Sequence, residues 1–197
     1  LVELMTKTDI AQNDGRRRRA QDSRQRIVAA MIELVGEGHI TPSAEDVAAR
    51  AAVGLRTVFR HFNDMESLYA ALTSSLVEQY EMWLIPFESG EPMGQLEEMI
   101  ERRTATYERL LPFKRAGDAH RHMSPAIQAE HARVRNLLRQ RLVSLLPRPV
   151  AADPVRLELI DLMMSLDVWQ RLRDEQHLPV DIARALVRQE VLRLAAT

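Results

Sequence analysis

Apolar residues recur along this chain at spacings of three and four and rarely alternate with polar ones, which is the pattern of helices and not of strands. Ile27, Ala30, Met31 and Leu34 make one stripe. They predict a first helix from about Asp22 to Val35, ended by Gly36 and Gly38. Ser43 followed three residues later by Asp46 resembles a capping box, so a second helix starts there, with Val47, Ala48 and Ala51 as its apolar face. Glu45 and Asp46 also suit the positive end of its dipole. A tight Ala52-Val53-Gly54 connection leads to a third helix over about Leu55 to Phe62. Asn63-Asp64 breaks the chain, and a fourth helix runs from Met65-Glu66 towards Leu84. Further helices are predicted from Pro92 to Leu111, stopped by Pro112, from Pro125 to Leu146, from Pro154 to about Gln176, and from Pro179 to Ala195. Each opens on a proline, whose missing N–H costs nothing in a first turn. Residues 1–20 are expected to be an unstructured arm. The sum is an all-α fold of about nine helices.

The third helix is only about two turns long and cannot stand alone. It must rest on the first two, which leaves its outer face for another purpose; this is the geometry of a helix-turn-helix. Val58 and Phe62, four apart, face inward. Arg56, Thr57, Arg60 and His61 then face outward, with Phe59 at the border. No acid occurs over the seventeen positions between Asp46 and Asp64, which carry Arg50, Arg56 and Arg60. Duplex DNA, with its dense phosphate charge, requires such a face. A second basic block lies upstream, with six arginines and one acid within the eleven residues from Arg16 to Arg26. It reads either as an anion-binding arm or as a solvated tail.

Composition narrows the class without naming it. The 197 residues are 46% hydrophobic and 28% charged, with a net charge of −1, the balance of an ordinary globular protein. Cysteine is absent, which excludes disulfides, thiolate metal sites and thiol nucleophiles. Apolar runs are too short for a transmembrane helix, and the first residues lack the apolar core of a signal peptide, so a cytoplasmic protein is expected.

The stretch Ala51-Ala52-Val53-Gly54-Leu55-Arg56-Thr57-Val58-Phe59-Arg60-His61-Phe62, continued to Leu68, resembles the helix-turn-helix signature of the tetracycline-repressor (TetR) family. Family members typically read Ala-Gly-Val-Ser, two variable residues, Thr, one variable residue, Tyr, one variable residue, His-Phe, then a short turn, Lys-Glu and Leu. This chain departs at four positions. Ala52 replaces the glycine and Gly54 the capping serine; Phe59 replaces a tyrosine and Met65 a lysine that commonly contact phosphate. The resemblance implies a flexible Arg-rich arm (1–20), a helix-turn-helix DNA-binding domain (21–68) and a helical effector-binding and dimerisation domain (69–197). It implies a ligand-responsive transcriptional regulator, most simply a repressor, that binds a palindromic operator as a homodimer and is released by a small molecule. Leu55 and Arg56 then face base edges, and arginine reads guanine through two parallel hydrogen bonds. Arg60 either reads a base or holds phosphate. Thr57 and His61 contact phosphate, and Phe59 borders that surface. Ser43 either offers its hydroxyl and amide to phosphate or simply caps its helix. Arg16, Arg17, Arg18 and Arg19 would lie along the backbone or in a minor groove and compensate for the two replaced contacts.

From about Tyr80 onward basic and acidic residues balance, so no second nucleic-acid surface is expected. Leu157, Ile160, Met164, Val168 and Leu172 form one stripe, and Ala183, Leu186, Val187, Val191 and Leu194 another; both are candidates for a dimer interface. Trp83, Phe87, Met99, Tyr107, Phe113, Met123, Met163 and Trp169 are candidates for an effector pocket or for plain core. Asp118, His120, His122 and His131 are a mild cluster, more often exposed groups than ligands, and no metal or other cofactor is assigned. Two other classes compete. One is a ligand-binding or interaction module of the same fold with weakened DNA binding. The other is an all-α enzyme, which is not expected, since the chain has no Gly-rich phosphate loop, metalloprotease helix or nucleophile elbow.

Overall fold

The computed structural model describes residues 2–77, 85–121 and 125–196, with side chains from residue 18 onward except at 19, 120, 121, 126, 127 and 130. Among the described residues every regular element is helical: α1 (Val2–Gly36), α2 (Ala44–Arg50), α3 (Leu55–His61), α4 (Met65–Val77), α5 (Pro92–Arg121), α6 (Pro125–Leu145), α7 (Arg148–Ala151), α8 (Pro154–Met163), α9 (Leu166–Gln170) and α10 (Val180–Ala195). A single π-type turn, Arg171–Glu175, follows α9. No described helix is long and apolar enough to cross a membrane.

Ile27, Met31, Leu34 and Val35 are the buried stripe of α1, as their spacing predicts, and α2, α3, α4 and α5 pack around it. Each such side chain contributes about 1.5–3 kcal/mol by leaving water. Three expectations need correction. The segment expected to be an arm continues α1 as helix from Val2, because Gly15 is its one glycine, it has no proline, and most of its residues favour helix. Pro112 does not stop α5 but lies inside it. A proline forfeits one ladder bond, here to the Glu108 carbonyl. Burial of Leu110 and Leu111 before it and Ala116 after it outweighs that loss. The stretch from Pro154 to Gln176 is not one helix: Met164 leaves the helical run, and Ser165 caps α9 by accepting from the Val168 amide at 3.2 Å. The predicted end of helix 4 near Leu84 lies outside the described residues.

The two stripes expected at a dimer interface face each other inside one chain. Ile160, Met164, Leu172, Ala183, Val187 and Val191 are all buried where α10 packs on α8, the π-type turn and α5, while Leu157, Val168, Leu186 and Leu194 pack at the edge of the same core. α8 is apolar on its other face as well: Val155, Leu159 and Leu162 are exposed at one-turn spacing, as is Ile182 on α10.

Candidate nucleic-acid interface and ligand cavity

Local chemistry fixes α2 and the turn after it. Ser43 closes a complete capping box: its hydroxyl accepts from the Asp46 amide at 3.1 Å and donates to the Asp46 carboxylate at 2.7 Å, while its amide donates to that carboxylate at 2.9 Å. These bonds hold the Asp46 carboxyl below its usual range. Both groups that Ser43 was expected to offer a phosphate are therefore engaged in the cap. At the other end of α2 the Ala52 amide donates to the Ala49 carbonyl at 3.1 Å and the Val53 amide to the Ala48 carbonyl at 3.0 Å. This is a Schellman motif, and it places Ala52 at the left-handed position, φ 51°, that glycine normally takes. Arg26, from α1, donates to the Ala51 carbonyl and, at 2.9 Å, to the Ala52 carbonyl, so the turn is tied to the core helix.

Gly54 caps α3 without a side-chain hydrogen bond, as its lack of a side chain requires. Val58 and Phe62 anchor α3 inward, and the Arg24 guanidinium covers the Phe62 ring at 4.9 Å. Leu55, Arg56, Phe59 and Arg60 lie exposed on the opposite side, with Thr57 and His61 half-buried at its flanks. Phe59, 46% exposed, is a large apolar ring left in water between two arginines. His61 has its Nε2 buried without a hydrogen-bond partner. Burial first, then the charges of Arg60 and Arg24, push its pKa below the usual 6.5. Arg50 does not join this face, because it pairs with Glu37 at 2.7 Å and Glu33 at 3.4 Å across α1. Arg16, Arg17, Arg18 and Arg19 all lie on α1; Arg18 is exposed, and the side chains of the other three lie outside the described residues.

A cavity of about 150 Å³ lies between α4, α5, α6 and the α8–α9 junction. Thr73 and Leu76 line it from α4, Tyr107, Leu110, Phe113 and Lys114 from α5, Val134 and Leu138 from α6, and Asp161, Met164 and Asp167 from the junction. Of the expected pocket residues it includes Tyr107 and Phe113. Met163 packs against the core, with its neighbour Met164 at the cavity instead. Met99 is core; Trp169 is core too, its Nε1 donating to Glu108 at 3.1 Å. Phe87 is clamped between Arg102 and Arg141, whose guanidinium carbons lie 5.1 and 4.7 Å from the ring centre. Trp83 and Met123 fall outside the described residues.

Sequence reasoning missed the charges. Arg103 is 2% exposed and lines the cavity, its Nη2 donating to the Leu138 carbonyl at 2.6 Å. Lys114, 7% exposed, is held by Asp118 at 2.6 Å and Asp167 at 3.0 Å. The detectable signal was spacing: Arg103 and Tyr107, and Lys114 and Asp118, are one turn apart on one helix. Asp118 is thus occupied by lysine, and His131 lines the cavity. His120 and His122 have side chains outside the described set. Among the described residues no three metal-ligating side chains cluster.

Phe113 also reaches the α1–α3 unit, since its Cζ lies 3.8 Å from where a Cβ on Gly36, the last residue of α1, would stand. Both α4 and Phe113 therefore touch the cavity and the α1–α3 unit.

No protein-family model and no curated protein matches the chain. Solved structures do. A transcriptional regulator from Rhodococcus sp. Rha1 superposes with a TM-score of 0.71 at 18% identity, over 87% of this chain and 95% of its own. A TetR-family transcriptional regulator from Streptomyces coelicolor gives 0.67 at 17% identity, over 88% of this chain and 79% of its own. The multidrug binding protein EbrR, complexed with ethidium, gives 0.64 at 21% identity, over 89% of this chain and 99% of its own. The chain has the fold of the TetR-family transcriptional regulators.

Proposed function

We propose that this chain is a TetR-family transcriptional regulator, acting as a repressor, whose α3 enters the major groove of an operator. The observation that carries the reading is the outer face of α3: Leu55, Arg56, Phe59 and Arg60 are exposed on a helix whose inner face, cap and preceding turn are all fixed. A rigid helix with free arginines at its first and last turns fits direct readout of base edges, with Arg56 the first choice for guanine. Thr57 and His61, at the flanks, serve phosphate. Ser43 is assigned to capping only. The basic run Arg16–Arg19, carried on α1, adds backbone affinity.

A single α3 reads one half-site, so a palindrome needs two copies. The exposed apolar face of α8, Val155, Leu159 and Leu162, together with Ile182 on α10, is the surface proposed to pair across a twofold axis. It takes the place of the inward stripe expected from sequence. The cavity is assigned to the effector. A ligand that favours a different setting of α4 and Phe113 would change the spacing of the two recognition helices, and a coupling of about 1–3 kcal/mol lowers operator affinity roughly 5- to 150-fold. Function on chromosomal DNA places the protein in the cytoplasm. A binding module with lost operator affinity is the second reading, favoured by Phe59 and Met65 in place of the phosphate-contacting tyrosine and lysine and by the commitment of Arg50 to Glu37.

Fluorescence anisotropy with duplexes from the region upstream of the coding sequence separates the two readings. The regulator binds one of them tightly against competitor DNA and yields it only to a specific site. Equal, weak affinity for all duplexes leaves the binding module.

A further inference from the structure

The cavity is not electrically neutral ground. Its two acids are already matched: Asp161 accepts from Arg139 at 2.7 Å, and Asp167 lies 3.0 Å from Lys114, which Asp118 also holds. Arg103 differs. It is buried, it lines the cavity, and among the described residues no carboxylate lies within ion-pair distance of it. Its protein partners are the Leu138 carbonyl and the Tyr107 hydroxyl, which itself donates to the Met164 carbonyl at 2.8 Å. These neutral oxygens satisfy only part of a five-donor guanidinium. Desolvation accordingly pulls its pKa down. Among the described residues the one acid whose charge acts on Arg103 is Asp161, and it is committed to Arg139, so the buried guanidinium is only partly compensated and an anion that reaches it relieves that cost.

The rest of the lining sets the size and shape of that anion. Leu76, Leu110, Phe113 and Val134 make much of the remaining lining apolar. A volume of about 150 Å³ is that of a dry cavity known to hold a benzene ring. We propose that the ligand of this cavity is a small aromatic carboxylate, with its ring among Leu110, Phe113 and Val134 and its carboxylate on Arg103. The inference rests on the reading of this cavity as the effector site. It departs from the ethidium-bound structure of similar fold, since ethidium is a cation and Arg103 would repel it.

The test uses the full chain and three probes of nearly one shape: benzoate, neutral benzamide and cationic benzylamine, with ethidium as a fourth. Titration calorimetry at pH 7.5 is expected to give benzoate at least tenfold tighter binding than benzamide and no binding of benzylamine or ethidium in competition with it. Arg103→Met should erase the preference for benzoate over benzamide while retaining the ring site, and Arg103→Lys should keep most of it. Should Arg103→Met not fold, the benzoate–benzamide comparison on the unaltered chain decides alone. No benzoate binding, benzamide binding as tightly, or displacement of benzoate by benzylamine or ethidium overturns the proposal. Operator binding is measured separately by anisotropy. A chain that binds a specific duplex but not benzoate refutes this inference and leaves the regulator intact. Arg103-dependent benzoate binding without any specific duplex supports the ligand class and refutes the regulator.

Discussion

Ala52 offers a sharp test of the turn that leads into α3. Its φ of 51° places it in the left-handed region, held there by the two Schellman bonds and by Arg26. A residue with a Cβ is disfavoured in that conformation by about 1–2 kcal/mol. Glycine removes that cost but gains freedom in the unfolded chain, which returns about 0.4–1 kcal/mol. Ala52 is exposed, so losing its methyl forfeits no packing. Ala52→Gly should therefore stabilise the fold by about 0.5–1 kcal/mol. For a chain of this size that raises the midpoint of thermal unfolding by roughly 1–4 °C. Ala49→Gly is the control: it is exposed too, but within α2, and should destabilise by about 1 kcal/mol. Urea unfolding monitored by circular dichroism reads both. If Ala52→Gly is neutral or destabilising at unchanged m-value, the left-handed strain assigned to this turn is wrong.

Other outcomes follow from the same geometry. Arg26→Met removes the donor shared by the Ala51 and Ala52 carbonyls and should cost about 1 kcal/mol in urea unfolding; no loss would mean that the turn holds itself. His61 has a folded pKa below its unfolded value, so its neutral form is favoured by folding: its contribution is complete above about pH 6.5 and declines as pH falls towards the depressed value. Stability should thus fall between pH 7.5 and 5.5, and His61→Gln should flatten that dependence; an unchanged slope would contradict the buried environment of its ring. Deleting residues 1–19 should weaken duplex binding and reduce its salt slope by about 0.9 for each phosphate that is no longer neutralised, whereas identical slopes would remove the Arg16–Arg19 run from the interface.

The α1–α3 unit was legible because its signals are local. The Ser43–Asp46 spacing specifies its own cap, and Val58 with Phe62 specifies which side of α3 is inner, whatever lies further along the chain. Ala52 stands where the resemblance has glycine, and the structure holds it in a left-handed turn, φ 51°. Where partners are distant in sequence the reading failed. Arg50 counted as a free cation because its partner Glu37 lies in the turn after α1, far back along the chain. Pro112 reads locally as a stop, and only the core on both sides of it carries α5 through. The stretch from Leu157 to Leu172 is apolar on every side, so its periodicity could not say which stripe meets α10 and which meets solvent. Arg103 was overlooked because a charged residue is ordinarily outside, and nothing near it in sequence supplies the walls that bury it.

Selection of bound duplexes from a random pool, followed by affinity measurements on the winning sequence and its single-base variants, bears most directly on the role of α3. The account predicts an inverted repeat in which one base pair per half-site carries about 1–3 kcal/mol of discrimination, and in which Arg56→Ala abolishes that discrimination without dissolving the dimer. Failure to enrich any sequence, or an Arg56→Ala protein that discriminates as the parent does, would contradict it.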